Sequence, residues 1–239
     1  MLRIGHKGAD LIEPGNTLAS FDAAVHHGVD MIELDVLPER PPSSADLERD
    51  RLILAHDYED AAERQPLTVA EGFAHLASDR FTGIEFIVDL KLPGYETRVV
   101  DALRAAGLQD RALVSSTYRE SLVRLRAYDP DLRVGWSVPR ARRDYTSSKL
   151  MILPALAVLW VMRRTLPRQA AQALRDGHCH AVMAHWRLVT PALVASIESA
   201  GGDLYVWTVD HAPRIRELST LGVTGVITND PRLFAALSR

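Results

Sequence analysis

Nine short apolar segments, most of them separated by longer helical patterns, restrict the fold of this chain more than any other feature. Several segments carry apolar residues on both faces, which is typical of strands covered by helices. The predicted strands are residues 2–6, 31–36, 52–56, 84–91, 112–115, 132–137, 181–185, 204–209 and 223–228. Strands that alternate with helices predict an α/β fold built on a parallel sheet.

The second and third predicted strands lie too close together to be joined by a helical crossover. Only 15 residues separate them, and these include Pro38, Pro41 and Pro42. We therefore expect segment 52–56 to return antiparallel as a β-hairpin arm inserted after strand 2. The other eight strands fit a (β/α)8 TIM barrel, and 239 residues suit one such domain spanning residues 1–239.

Three local patterns predict where helices begin. Thr68 and Thr117 are each followed three residues later by a glutamate, which is the pattern of a capping box. Thr190 precedes Pro191, which combines an N-cap residue with proline at the first helical position.

The composition excludes several functional classes. The net charge is −3, the basic clusters are short and lack interleaved aromatic residues, and nucleic-acid binding is therefore not expected. The single cysteine, Cys179, excludes an internal disulfide framework and a cysteine-rich zinc site. No signal peptide is evident, so a cytoplasmic location is expected.

Two predicted strands place acidic residues on the same face. Glu33 and Asp35 are two residues apart, as are Asp89 and Lys91, so each pair projects from one side of its strand. The residues between them are apolar and suit contact with helices, so these four side chains are predicted to point into the barrel. Three inward carboxylates suit Mg²⁺ or Ca²⁺. The alternative is an internal salt-bridge cluster around Lys91.

Two histidines are predicted near these carboxylates. His6 ends the first strand, and His56 ends the hairpin arm, which would return it towards Asp35. Active sites of this barrel lie at the carboxyl ends of the strands. A pair of histidines there can act as general acid and general base.

In its motifs the chain resembles the glycerophosphodiester phosphodiesterase family, a phospholipase-C-like group of TIM barrels. The resemblance covers nearly the whole chain and depends on the order and spacing of the motifs, not on any one of them. The motifs are GHKGA at 5–9, PGNTLASF at 14–21, IELDV at 32–36, AHD at 55–57, DLK at 89–91, VWTV at 206–209 and GVITNDP at 225–231.

The resemblance implies metal-dependent hydrolysis of glycerophosphodiesters to glycerol 3-phosphate and an alcohol. His6 and His56 would be the acid–base pair. One divalent cation would be held by Glu33, Asp35 and Asp89. Lys7 and Lys91 would contact the phosphate. Trp207 would line the substrate pocket. In the route implied, a neighbouring substrate hydroxyl attacks phosphorus and gives a cyclic phosphate, which water then opens.

Three positions depart from the usual family pattern. Lys7 replaces an arginine and loses the bidentate fork that arginine offers to phosphate. Gly15 replaces a glutamate, so we expect altered support for the site, with Glu13 or Asp10 as possible substitutes. Asp89 replaces the commoner glutamate but still offers a carboxylate, an arrangement similar to that of sphingomyelinase-D-like toxins.

An apolar run covers residues 150–162 and is flanked by basic residues. It is too short to span a membrane, which takes about 20 residues. A buried barrel helix or an oligomer contact would explain it, as would a lid or peripheral membrane contact. The sequence does not set the oligomeric state.

Two alternatives to the hydrolysis of water-soluble glycerophosphodiesters stay open at this stage. A lipid-facing lid would favour lysophospholipids, as in a lysophospholipase D or a sphingomyelinase-D-like enzyme. The departures at Lys7 and Gly15 keep open a non-catalytic barrel that binds phospholipid.

Overall fold

The computed structural model describes residues 1–41, 50–140 and 152–237. In this part of the chain eight parallel strands close into a barrel, in the spatial order β1-β9-β8-β7-β6-β5-β4-β2, and β1 pairs with β2 to complete it. The strands of the barrel are β1 Leu2–Gly5, β2 Met31–Pro38, β4 Glu85–Leu90, β5 Ala112–Ser116, β6 Arg133–Val138, β7 Ala181–His185, β8 Asp203–Trp207 and β9 Gly225–Thr228. The predicted TIM barrel is confirmed.

A further strand, β3 (Leu52–Leu54), lies outside the barrel and pairs antiparallel with the end of β2. Its register joins Val36 to Leu54 and Pro38 to Leu52. Residues 42–49, which connect the two strands, lie outside the described residues.

Helices surround the barrel. They are α1 Leu18–His26, α2 Tyr58–Glu63, α3 Val69–Leu76, α4 Glu96–Ala105, α5 Arg119–Tyr128, α6 Ile152–Arg175, α7 Pro191–Ser199 and α8 Ala212–Leu221. Short 3₁₀ turns are Asp79–Phe81, Gln109–Arg111, Trp186–Leu188 and Pro231–Leu237.

Two of the three predicted helix starts are confirmed. The Thr68 hydroxyl accepts the Glu71 N–H while the Glu71 carboxylate accepts the Thr68 N–H, which completes a capping box. Thr190 caps α7, with Pro191 in the first turn. The capping box predicted at Thr117 is wrong, because α5 begins at Arg119 after Tyr118, without a side-chain cap.

The strands divide their apolar side chains between two cores. Ile32, Leu34 and Val36 belong to the large core between the strands and the helices. The barrel interior is a smaller cluster whose buried members are Ile4, Met31, Ile87, Leu113, Ala181, Met183, Tyr205 and Ile227. Because side chains alternate along a strand, Glu33 and Asp35 share the inward face with Met31. The prediction that Glu33 and Asp35 lie on the inward face of β2 is therefore confirmed.

Residues 150 and 151, the first two of the apolar run at 150–162, lie outside the described residues. In the described part, Leu156, Val158, Trp160 and Val161 are 49–58% exposed, while Leu159 and Met162 pack against the large core. A buried barrel helix is thus the wrong explanation for the four exposed positions. Among the described helices, none is both long and apolar enough to cross a membrane.

Candidate functional site

The three predicted carboxylates converge at the mouth of the barrel. Glu33, Asp35 and Asp89 each offer an oxygen, and these oxygens lie within 4.8 Å of one another. The strand register explains the convergence, because Asp35 pairs directly with Asp89 across β2 and β4. Gly5, the last residue of β1, pairs with Ile32, so Glu33 lies just beyond the carboxyl end of β1.

Lys91 compensates part of this negative charge. Its Nζ lies 2.5 Å from Asp35 Oδ1 and 2.8 Å from Asp89 Oδ2. Burial alone would lower the pKa of Lys91, but the three carboxylates outweigh burial and raise it well above its usual range. Burial likewise favours neutral Asp35, yet the charges of Lys91, His56 and His6 hold its pKa below the usual range.

Glu33 behaves differently from Asp35. Its burial, together with the charges of Asp35 and Asp89, raises its pKa well above the usual range although Lys91 opposes the shift. One ammonium group therefore does not balance three carboxylates at this position. A further cation would offset the charge repulsion that raises the pKa of Glu33.

The donor set fits a hard divalent cation. All three ligand groups are carboxylates, which Mg²⁺ and Ca²⁺ prefer. Asp35 is fully buried, and its Oδ1 accepts no hydrogen bond of good geometry among the described residues, although Lys91 lies close to it. Asn16 holds the second carboxylate oxygen and the backbone of Asp35. Its Nδ2 donates to Asp35 Oδ2 at 2.9 Å, and its Oδ1 accepts the Asp35 N–H at 3.0 Å.

His6 lies in a tight turn directly after β1. Lys7 and Gly8 have φ values of 49° and 91°. A side chain at Gly8 would lie 2.5 Å from Ser20 Oγ, so only glycine fits there. Ser20 Oγ donates to the Lys7 carbonyl and accepts the Ala9 N–H, which ties the turn to α1.

The orientation of His6 is set by a chain of hydrogen bonds. Its Nδ1 lies 2.5 Å from Asn229 Oδ1, an acceptor, so Nδ1 carries the proton. Asn229 Nδ2 in turn donates to Asp210 Oδ2 at 2.6 Å. His6 Nε2 is left facing Glu33 Oε2 at 3.7 Å. Burial lowers the pKa of His6, which favours a neutral ring whose Nε2 can accept a proton.

His56 and Trp207 lie at the rim of the site. The His56 side chain is 49% exposed, and its Nδ1 lies 2.9 Å from Asp57 Oδ2, so its Nε2 is directed away from that carboxylate. Trp207, the last residue of β8, donates from Nε1 to the Met183 carbonyl at 3.0 Å. Its ring meets that of His185 edge to face, with centroids 5.2 Å apart.

Lys7 and Gly15, two of the departures from the family pattern, are linked through Asp10. Lys7 Nζ lies 2.6 Å from Asp10 Oδ2, and Asp10 Oδ1 accepts the Gly15 N–H at 2.9 Å. A side chain at Gly15 would lie 2.4 Å from Asp10 Oδ1 and 2.8 Å from Lys7 Cβ. Asp10 thus occupies the space beside Gly15 and provides the carboxylate partner of Lys7. The Lys7 N–H donates to Glu33 Oε2 at 2.9 Å.

Sequence reasoning assigned no individual role to four residues that support the site. They are Asn16, Ser115, Asp210 and Asn229. Asn16 and Asn229 lie within quoted motifs, which was the available signal. Ser115, whose Oγ donates to Asp89 Oδ1 at 2.6 Å, and Asp210 had no sequence signal, because their role depends on contacts between separate strands and loops.

Comparison with known proteins finds relatives over the whole length of the chain. The chain is 25% identical to a glycerophosphodiester phosphodiesterase of Caldanaerobacter subterraneus subsp. tengcongensis, over 100% of this chain and 98% of the relative. A phosphodiesterase of Oleispira antarctica, solved in complex with the product sn-glycerol-3-phosphate, matches with a TM-score of 0.73 and 21% identity over 100% of this chain and 97% of that one.

A glycerophosphodiester phosphodiesterase of Parabacteroides distasonis has the same fold, with a TM-score of 0.73 and 16% identity over 99% of this chain and 95% of the other. The model of the glycerophosphoryl diester phosphodiesterase family matches residues 94–233, which is more than half of the chain. The chain therefore belongs to the glycerophosphoryl diester phosphodiesterase family.

Proposed function

We propose that the protein hydrolyses glycerophosphodiesters to glycerol 3-phosphate and an alcohol in a reaction that depends on a divalent cation. The observation that carries the proposal is the meeting of Glu33, Asp35 and Asp89 within 4.8 Å, with His6 Nε2 facing Glu33. Family membership and the names of full-length relatives support the same substrate class.

We propose Glu33, Asp35 and Asp89 as the residues that hold Mg²⁺ or Ca²⁺. The cation, when bound, would neutralise charge that develops on a nonbridging phosphate oxygen. Lys7 and Lys91 are proposed to contact the phosphate. Both ammonium groups already lie beside carboxylates of the site, at 2.6 Å from Asp10 and 2.8 Å from Asp89.

We assign His6 as the general base. Its Nδ1–H is held by Asn229, so Nε2 takes the proton of the substrate hydroxyl as that oxygen forms its bond to phosphorus. His56, at the exposed rim beside Asp57, gives its Nε2 proton to the departing alcohol as the phosphorus–oxygen bond breaks. Water then opens the cyclic phosphate with the two roles reversed.

The substrate class is tested with purified protein, Mg²⁺ or Ca²⁺, and either glycerophosphocholine or lysophosphatidylcholine. We expect release of glycerol 3-phosphate and choline from glycerophosphocholine. Turnover of the lysolipid alone would replace this substrate by a lysophospholipid and identify a lysophospholipase D. Binding of either compound without turnover under both cations would identify a non-catalytic barrel. Cytoplasmic location and a single domain over residues 1–239 stay predictions.

The hydrogen-bond chain behind His6 gives a testable effect on turnover. Asn229→Ala should lower kcat by about 10- to 100-fold, because removing a partner that orients a reacting imidazole has effects of this size. KM should change little, since Asn229 is proposed to act through His6 and not through the substrate. Steady-state kinetics measures both values.

Arg232→Ala is the matched control for Asn229→Ala. Arg232 pairs only with the neighbouring Asp230 among the described residues, and this pair does not reach His6. The control should retain the kcat of the wild type. A change in KM with unchanged kcat in Asn229→Ala would contradict the positioning role.

A further inference from the structure

We propose that α6 forms a docking surface for anionic phospholipid bilayers. The surface consists of residues 156–168, in which an exposed apolar segment, 156–161, is followed by Arg163, Arg164 and Arg168. The proposal does not depend on turnover. It goes beyond the proposed hydrolysis, because it assigns a role to a helix that contributes no residue to the candidate site.

The apolar segment projects beyond the barrel on the side of the candidate site. Arg163 Nε donates to the Arg187 carbonyl at 2.7 Å, and Arg187 lies two residues after the end of β7. Helix α6 follows β6 and returns along the barrel, so residues before Arg163 extend past its carboxyl end. At a rise of about 1.5 Å per residue, Leu156 lies about 10 Å beyond this level.

The side chains on this projection suit the interface of a bilayer. Leu156, Val158, Trp160 and Val161 are 49–58% exposed although all four are large and apolar. Tryptophan is favoured at membrane interfaces because one part of its ring system is apolar and its N–H is polar. The Arg164 guanidinium stacks over the Trp160 ring at 4.0 Å, which places a positive charge directly beside the apolar segment.

The charge of α6 selects the kind of partner. From Ile152 to Arg175 the helix contains four arginines and no acidic residue. Such a helix matches an anionic lipid surface better than a neutral one. A second copy of this chain would bring the same positive charge to the contact and is disfavoured.

A cleft of about 960 Å³ beside the arginines provides a place for phosphate headgroups. Arg164 and Arg168 line it from α6, and Arg119 lines it from the start of α5. The acidic lining residue, Asp176, accepts hydrogen bonds from Gln172 Nε2 at 2.8 and 2.9 Å, so both of its carboxylate oxygens already have a donor.

The test is flotation of the full chain with mixed phosphatidylcholine–phosphatidylglycerol vesicles and with pure phosphatidylcholine vesicles. We expect binding to the mixed vesicles and at least about tenfold weaker binding to the neutral ones. Val161→Glu should abolish flotation. Val123→Glu, which makes the same change at a 60% exposed position on α5, should float like the wild type.

Two further variants separate the apolar and the charged parts. Arg164→Gln/Arg168→Gln should weaken binding to the anionic vesicles by about tenfold or more. Trp160→Phe should still float but lose the quenching of tryptophan fluorescence by brominated lipid. Circular dichroism should show that each variant melts at the temperature of the wild type, which would separate loss of binding from loss of folding.

Equal flotation of Val161→Glu and the wild type would overturn the proposal, as would equal binding to neutral and anionic vesicles. The mass of the protein in solution, measured by light scattering, tests the alternative that a second copy of the chain covers this surface. A dimer that Val161→Glu dissociates, without vesicle binding by the wild type, would assign this surface to a second copy of the chain.

Discussion

His6→Ala should lower kcat for glycerophosphodiester hydrolysis by about 10²- to 10⁴-fold, the range expected when a general acid–base group is lost. The imidazole lies between Asn229, which holds its Nδ1–H, and Glu33, which its Nε2 faces at 3.7 Å. Alanine leaves space where the ring was, so added imidazole should restore part of the activity. Steady-state kinetics with and without imidazole measures both effects.

His26→Ala provides the control for this substitution. His26 is exposed in the last turn of α1 and lies outside the candidate site, so the same change there should leave kcat unaltered. Equal turnover by His6→Ala and the wild type would remove His6 from the mechanism. Loss of activity in His26→Ala as well would show that the assay reports folding instead.

Asp35→Asn should remove the stabilisation of the fold by Mg²⁺ or Ca²⁺. A cation present at about 100 times its Kd should raise the free energy of unfolding of the wild type by about 2.7 kcal/mol. The variant should show almost none of this increase, because Asp35 is the fully buried carboxylate between Glu33 and Asp89. Thermal unfolding with and without the cation gives the difference for each protein.

The same substitution should lower activity by about 10²-fold or more, because a cation supplies several kcal/mol of charge stabilisation in the transition state. Asp35 also pairs with Lys91, so Asp35→Asn will change stability even without a cation. Only the increment caused by the cation tests the ligand role. Asp101→Asn, a change at an exposed position of α4, should retain the full increment.

An unchanged increment in Asp35→Asn would mean that the cation binds elsewhere, and an absent increment in the wild type would mean that the carboxylates form only an ionic cluster with Lys91. The second outcome is the alternative that the sequence left open. The raised pKa of Glu33 is consistent with a cation at this position, since the charge of one lysine does not offset the repulsion from the two neighbouring carboxylates.

Much of the fold could be predicted because the barrel repeats one local pattern. Each of the nine predicted strands overlaps an observed strand, and their ends shift by no more than two residues. The start of α5 was mispredicted, because Thr117 has the sequence of a capping box but the helix begins after Tyr118. Strand ends and helix starts depend on neighbouring segments, so local patterns do not settle them.

The sequence by itself determined which residues face the barrel interior. Alternation along a strand is a property of the backbone, so the spacing of Glu33 and Asp35, and of Asp89 and Lys91, already placed each pair on one face. The spacing also set the type of chemistry, because three carboxylates without a cysteine or histidine among them suit a hard cation.

The tertiary structure alone decided how these groups are held and what surrounds them. The contacts that orient the site join distant segments: Asn229 to His6, Asn16 to Asp35, and Ser115 to Asp89. Only the tertiary structure shows that apolar residues of α6 are exposed, because their sequence is equally compatible with a buried helix. Burial and hydrogen bonding depend on which segments the closed barrel brings together, and no local pattern in the chain records that closure.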